Sequence, residues 1–275
     1  MRNPSPFLSL AARLGLVGAA AALIVGCNRP SADWRTDRAN AQPDAPSGYL
    51  RPPQVLGAVR GGDGGAVLSG QSEPDVRLRL ASPDGGAYGA TADDGGRWTI
   101  AIPASAEVRL FGLSEEAAGR VVQGEGYVAV LPAPCRPAVL LRAGAGAALL
   151  EQSPALRIVA VDFDAAGGAV VSGTASPGAA VRGVVDGAAA GETHAGPRGH
   201  FSMALAETLK DGAHQIQVQS PAGATLALVK VSAPQPATGV PYRGQRLGDA
   251  WRIDWLTPGG GPQSTVVFDP AGGGR

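Results

Sequence analysis

Few residues in this chain have the types and the spacing that catalysis or metal binding requires. The histidines His194, His200 and His214 lack HExxH spacing, and no G-x-S-x-G nucleophile motif or P-loop occurs. Asp162 and Asp164 place two carboxylates on one face of a predicted strand, but calcium generally needs about six to eight oxygen ligands. Solvated acids at a strand end are the simpler interpretation. We therefore predict no enzymatic activity, no metal site and no cofactor.

The remaining candidate for ligand binding is an aromatic group near the C-terminus. Trp251 and Trp255 fall on one face of a predicted strand, and Tyr242 lies upstream of them. Rings on one sheet face can stack on sugars, so a glycan or peptidoglycan fragment is one possible ligand. The alternative is that the rings cover the edge of a small hydrophobic core, because apolar alternation beside a core usually means packing.

The chain begins with a segment typical of secretion signals. Arg2 and Arg13 give it a positive start, and residues 14–25 are apolar but too few to cross a bilayer, which takes roughly 20 residues. Residues 24–27, Ile-Val-Gly-Cys, resemble the lipobox of bacterial lipoproteins. The resemblance implies cleavage after Gly26 and attachment of diacylglycerol to the sulfur of Cys27. The alternative is an ordinary signal peptide with a coincidental cysteine.

The same resemblance bears on location. In bacterial lipoproteins, Asp directly after the lipidated cysteine commonly signals retention in the inner membrane, whereas this chain has Asn28 there. We therefore expect a lipid anchor in the outer membrane, with the protein facing the periplasm. A mature lipoprotein would carry two or three acyl chains, which bind a membrane at about 0.8 kcal/mol per buried methylene.

Composition excludes one class of partner. The chain has 23 basic and 23 acidic residues, and removal of the signal segment takes away Arg2 and Arg13 but no acid, so the mature net charge is −2. Nucleic-acid binding requires clustered positive charge, so we expect no such partner. After lipidation of Cys27, Cys135 is the only thiol, which excludes an intrachain disulfide. A structural role for Cys135 in its proline-rich turn and a redox or intermolecular role both remain open.

An internal repeat dominates the rest of the chain. Residues 65–70, Gly-Ala-Val-Leu-Ser-Gly, recur as residues 168–173, Gly-Ala-Val-Val-Ser-Gly, at an offset of 103 residues. The same offset carries Gly96 onto Gly199 and Trp98 onto Phe201. Conservation of register over about forty residues indicates a duplicated domain.

Each copy reads as β-structure. Trp98, Ile100 and Ile102 alternate with polar or small residues, and this period of two places one face on a core and the other in water. In residues 251–255, the apolar Trp251, Ile253 and Trp255 likewise alternate with Arg252 and Asp254. The predicted fold class is all-β, with two tandem antiparallel sandwiches, each followed by a hairpin.

The pattern of the second copy, Ser-Gly-Thr-Ala-Ser-Pro-Gly at residues 172–178 followed by Gly-His-Phe at 199–201, resembles bacterial immunoglobulin-like domains of envelope proteins. The first copy departs from it with Pro74-Asp75, where glycine usually follows proline. Such domains mostly serve as spacers or adhesive modules. The expected organisation is a signal peptide at 1–26, a lipidated Cys27 with a flexible linker to residue 50, a first immunoglobulin-like domain at 51–115, a hairpin and linker at 116–155, a second domain at 156–233, and a C-terminal hairpin and tail at 234–275.

The function that follows is a membrane-anchored, non-enzymatic lipoprotein that acts as a spacer or protein-interaction module. Its expected partners are the membrane, through the lipid anchor, and an envelope protein that pairs with a free sheet edge. The alternative function is binding of a cell-wall glycan through the hairpin that carries Trp251 and Trp255.

Overall fold

The computed structural model describes residues 50–151, 153, 155–235, 239 and 241–269, which all fall within one compact unit. The predicted signal peptide, Cys27 and nearly all of the predicted linker lie outside these ranges. Within them the regular structure consists of β-strands alone. No helix long and apolar enough to span a membrane occurs in the ranges given.

Twenty strands build this unit, and every pairing between them is antiparallel. The first ten are β1 (Gln54–Arg60), β2 (Ala66–Gln71), β3 (Arg77–Ala81), β4 (Ala87–Thr91), β5 (Arg97–Ile102), β6 (Arg109–Ala117), β7 (Arg120–Gln123), β8 (Tyr127–Val130), β9 (Ala138–Leu141) and β10 (Ala148–Leu149). The second ten are β11 (Arg157–Asp164), β12 (Ala169–Thr174), β13 (Ala180–Val185), β14 (Ala188–His194), β15 (His200–Ala204), β16 (Gly212–Ser220), β17 (Gly223–Val231), β18 (Tyr242–Leu247), β19 (Ala250–Leu256) and β20 (Pro262–Phe268).

The first seven strands form a sandwich of two sheets. One sheet has the order β1-β2-β5, and the other has the order β4-β3-β6, with β7 paired to the second half of β6. The sandwich core lies between the sheets and includes Leu68, Leu80, Trp98 and Phe111, each at most 3% exposed. Apolar residues on alternate strand positions therefore meet across the two sheets, as the period of two predicts.

Strands β11 to β17 repeat this arrangement. Their sheets are β11-β12-β15 and β14-β13-β16-β17, so strands one, two and five again face strands four, three, six and seven. Val171, Phe201 and Ile216 lie in the core between them. Two seven-stranded, antiparallel, immunoglobulin-like sandwiches thus confirm the predicted all-β fold class.

The strand register shows how closely the copies correspond. β6 and β16 begin and end 103 residues apart, and so do the two hairpin pairs Ala117–Arg120 and Ser220–Gly223. Even the β-bulge in the first strand recurs, between Val55 and Gly57 and between Ile158 and Ala160. The offset therefore holds without a net insertion from the first strand of each copy to the start of the seventh.

Backbone geometry explains two residues of the repeated motif. A Cβ on Gly70 or Gly173 would lie 2.0 Å from the carbonyl oxygen of the neighbouring first strand, so neither position has room for a side chain. Gly178 adopts a φ of +74° after Pro177, and Asp75 adopts a φ of +58° at the equivalent place. The departure of the first copy from the motif thus keeps the turn, because Asp tolerates the left-handed region better than most residues.

The segments that follow the sandwiches differ from the expected matched hairpins. β8, β9 and β10 extend the larger sheet of the first sandwich beyond β6, whereas β18, β19 and β20 extend the smaller sheet of the second beyond β11. Residues 116–155, expected to form a hairpin and linker, therefore contribute four strands to the sheet of the first sandwich. Sequence periodicity identifies strands but does not specify the edge to which they are added.

Candidate interaction surface

A third hydrophobic core joins the two sandwiches. It lies between the β8-β9-β10 extension of the first and the β11-β20-β19-β18 part of the second, and it includes Leu131, Val139, Ile253 and Trp255. β8 and β9 are buried on both faces, because alternate residues such as Val128 and Ala129 belong to different cores. The extensions therefore bind the two sandwiches to each other.

The aromatic residues predicted as a stacking site belong to this junction core. Trp255 is fully buried, its indole N–H donates to the Thr265 hydroxyl at 3.0 Å, and its ring meets Tyr127 edge to face at 5.8 Å. Trp251 is 9% exposed and Tyr242 8% exposed. Of the two interpretations that the sequence left open for these three rings, their burial corresponds to packing and not to a stacking site.

Polar contacts also cross the junction. The Tyr242 hydroxyl donates to a carboxylate oxygen of Asp84, in the β3–β4 turn of the first sandwich, at 3.2 Å. Burial, followed by the neighbouring Asp84 carboxylate, raises the pKa of Tyr242, so the phenol stays protonated as a donor. Gly244 of β18 lies against Val108, and a Cβ there would come within 2.8 Å of the valine side chain.

Arg252 and Asp254, the polar residues that alternate with the apolar ones of β19, are only 7% and 5% exposed. They form an ion pair at 2.8 Å, and the guanidinium also donates to the backbone oxygens of Ser232 and Ala233. Asp254 accepts a further hydrogen bond from Ser264 at 2.5 Å. This face of β19 is buried because the segment that contains Ser232 and Ala233 covers it, and the two charges there neutralise each other.

The acids considered for calcium serve the fold instead. Asp162 is 2% exposed and accepts hydrogen bonds from the Ala147 backbone N–H at 2.9 Å, Thr265 at 2.5 Å and Gln263 at 3.2 Å. Burial outweighs these bonds and raises the pKa of Asp162 to about 6. Asp164 accepts from the backbone of its own turn at Ala166. Across the part of the chain that the structure describes, no group of three or more histidine, cysteine or acidic residues could hold a metal ion.

His214 and His200 lie in different environments. His214 is bound by Asp186 at 2.7 Å and by the Lys210 carbonyl oxygen. His200 lines a cleft with Arg142 and Arg198, and burial, followed by these two arginines, lowers the pKa of His200. The cleft encloses about 170 Å³, below the roughly 300–1,000 Å³ of typical small-molecule sites. Its mixed charges, with Glu125 and Glu151 on the wall, specify no ligand class.

Cys135 is a buried packing residue. It is 3% exposed, and its thiol donates to an Asp269 carboxylate oxygen at 3.0 Å. Burial, reinforced by Asp269, raises the pKa of Cys135, which disfavours the reactive thiolate. Of the two roles left open by the sequence, the contacts correspond to the structural one.

One sheet edge stands out as a candidate surface for a partner, and we call it the β17 edge. It is the side of β17 that faces away from β16, together with the exposed side chains of Leu226, Leu228 and Lys230. Leu226 is 44% and Leu228 71% exposed. All nine residues of β17 pair with β16, and its opposite side makes no backbone hydrogen bond to any residue in the described ranges.

The first sandwich covers the corresponding edge. Its seventh strand divides into β7 and β8, and β8 pairs with β6 on one side and with β9 on the other. Leu226 and Leu228 were not predicted as site residues from the sequence. A signal for an unusual strand was nevertheless present in the unbroken apolar run Leu226-Ala227-Leu228-Val229. Such a run is typical of a strand buried on both faces, as β8 and β9 are.

No protein-family model matches the chain, and no curated protein matches it. Among solved structures, "Biofilm associated protein - BSP domain" is similar at 11% identity and a TM-score of 0.25, over 68% of this chain and 30% of that one. "Central Fibronectin-III array of RIM-binding protein" is similar at 12% identity and a TM-score of 0.26, over 77% of this chain and 75% of that one. The chain thus spans less than a third of the length of the first.

Proposed function

We propose that this protein is a bacterial envelope lipoprotein, anchored in the outer membrane through Cys27, whose two sandwiches act as a non-enzymatic spacer and protein-interaction module in the periplasm. The lipobox resemblance of residues 24–27 supports the anchor. Two tandem immunoglobulin-like sandwiches, joined by the junction core, support the spacer.

The junction core is the observation that carries the spacer proposal. Tandem domains joined by an exposed linker move independently, whereas a large apolar interface suppresses relative motion. Here Trp255, Ile253 and Val139 are completely buried between the sandwiches. A spacer of this kind holds whatever binds its far end at a fixed distance from its near end.

The partner is proposed to bind through a free sheet edge, because the aromatic alternative has lost its basis. A cell-wall glycan would need exposed rings, and Trp251 and Trp255 are enclosed by protein. An edge strand instead offers unpaired backbone N–H and C=O groups that an added strand can complete.

The anchor is tested by labelling cells with radioactive palmitate. We expect label on the full wild-type chain and none on a Cys27→Ser variant, whereas equal labelling of both would remove the anchor from the proposal. Cys135→Ser is the matched control, because it removes the other thiol and should leave labelling unchanged.

The spacer is tested by measuring one distance across the junction. Spin labels at Val121 and Arg182, both exposed and on different sandwiches, should give a narrow distance distribution in the full chain. Trp255→Ala should broaden it, because the substitution empties the centre of the junction core. Singly labelled chains correct for distances between molecules. A broad distribution in the wild type would contradict a rigid spacer.

A further inference from the structure

We infer that the β17 edge pairs antiparallel with the β17 edge of a second copy of this chain, which joins two four-stranded sheets into one of eight strands. The inference deepens the proposed interaction role by naming the partner. It does not depend on the lipid anchor or on the rigidity of the junction.

The first argument is the chemistry of the edge. Natural edge strands are usually blunted by charges, prolines or bulges that prevent pairing with another chain. β18, the edge of the other sheet in this half, carries Arg243 and Arg246. β17 is nine residues long, pairs with β16 without a bulge, and has Lys230 as its sole charged residue. It therefore lacks the features that keep an edge unpaired.

The second argument comes from the duplicated copy. β8 follows β7 after an insertion of two residues. Phe111 of β6 pairs with Val128, whereas the equivalent His214 of β16 pairs with Val229, which the offset of 103 places two residues before Val128. With that insertion, β8 continues the seventh strand and receives β9 as an antiparallel neighbour. The second copy has no such strand in the described ranges. The fold therefore accommodates an added antiparallel strand at this position, and in the second copy the position is open.

The third argument is the match that self-pairing creates. Leu226, Leu228 and Lys230 point to the exposed face, while Ala227 and Val229 point to the core. A two-fold axis at Ala227 keeps these faces aligned. It places Leu226 of each copy opposite Leu228 of the other, which gives two such pairs. Cross-strand apolar pairs of this kind stabilise antiparallel sheets. The neighbouring outward residues on β16 are Gln215, Gln217 and Gln219, which are uncharged.

Charge selects the antiparallel direction. With the axis at Ala227, Lys230 lies opposite Ala224 of the second copy, and the two lysines are about six residues, or roughly 20 Å, apart along the strand pair. A parallel pair in register would instead set the lysines side by side. The single charge at one end of β17 thus opposes the parallel arrangement and permits the antiparallel one.

The mass of the particle tests the inference. The mature, lipidated chain, solubilised in non-denaturing detergent, should sediment with twice its monomer protein mass at micromolar concentration. Leu228→Lys should weaken the dimer at least tenfold, because it sets a lysine against the apolar face of the second copy. Val59→Lys is the matched control, because Val59 is 62% exposed on β1 and lies outside the proposed contact. Equal circular dichroism spectra would show that both variants fold.

A cysteine pair tests the register. In a chain carrying Cys27→Ser and Cys135→Ser, Leu226→Cys and Leu228→Cys are made separately, oxidised alone and then oxidised as a mixture. The disulfide should form several-fold faster in the mixture, because position 226 faces position 228 of the second copy. A monomeric wild type, or equal crosslinking alone and mixed, would overturn the inference. A wild type that stays monomeric but crosslinks to a different envelope protein in a Leu228-dependent way would also overturn it, while leaving the spacer proposal intact.

Discussion

Glu115 is a buried carboxylate in the first sandwich, and its replacement by the residue of the other copy tests how the duplicated cores are stabilised. Glu115 is 1% exposed, and neither of its carboxylate oxygens accepts a hydrogen bond of normal geometry from a described residue, the Glu73 backbone N–H being only a weak neighbour. The equivalent position 103 residues later is Val218, which is fully buried in the second core. The perturbation is Glu115→Val, with Glu115→Gln as the variant that removes the charge and keeps the shape.

The expected gain follows from burial. A buried polar group without a hydrogen-bond partner destabilises the folded state by about 1–3 kcal/mol. The valine substitution removes this penalty but loses roughly 1 kcal/mol of packing, because valine is smaller than glutamate. Burial is the main cause that raises the pKa of Glu115, and the nearby Glu73 carboxylate raises it further, while the Glu73 backbone N–H partly offsets both. The folded state therefore holds its proton to higher pH than the unfolded state does, so stability falls as pH rises from about 4 through the folded pKa.

Thermal unfolding followed by circular dichroism measures this effect. At pH 7.5, Glu115→Val should be more stable than the wild type by about 1 kcal/mol, the middle of the difference between these two terms, which raises the melting temperature by roughly 2–4 °C. Glu115→Gln should lie in between. The advantage of Glu115→Gln should vanish near pH 4, where the wild-type carboxyl is protonated. The reciprocal Val218→Glu should lose stability as pH rises. A Glu115→Val protein no more stable than the wild type at pH 7.5 would refute the reasoning.

Three further predictions concern buried contacts. The pKa of Asp162 is about 6 and exceeds its usual value of 3.8, so the free energy of unfolding should fall by about 3 kcal/mol as pH rises from 4 to above 6. Asp162→Asn should flatten that part of the pH profile measured by urea unfolding. Trp255→Ala should destabilise the protein by about 3–5 kcal/mol in the same assay, with exposed Val121→Ala as the control within 0.5 kcal/mol. Gly173→Ala should destabilise far more than Gly187→Ala, although Gly187 has a φ of +86°, because only Gly173 lacks space for a Cβ.

The repeat made most of the sandwich fold predictable from the sequence. The offset of 103 residues and the period of two in β5 and β15 sufficed for the fold class, because both reflect strands with one buried face. The junction was not predictable in this way. Arg252 and Asp254 look solvent-facing in the sequence, and only the covering segment with Ser232 and Ala233 explains their burial. Periodicity reports whether a face is apolar, not which distant element covers it.

The two extensions explain why the copies came to differ in their edges. In the first copy, two additional residues precede β8, so Val128 takes the pairing position that Val229 takes in the second copy. β9 then pairs with β8 and covers the edge. In the second copy the extension adds to β11 instead, which supplies the other half of the junction core and leaves β17 without a neighbour. One arrangement thus accounts for two features: the sandwiches are joined because their extensions lie on different sheets, and the β17 edge is open for the same reason.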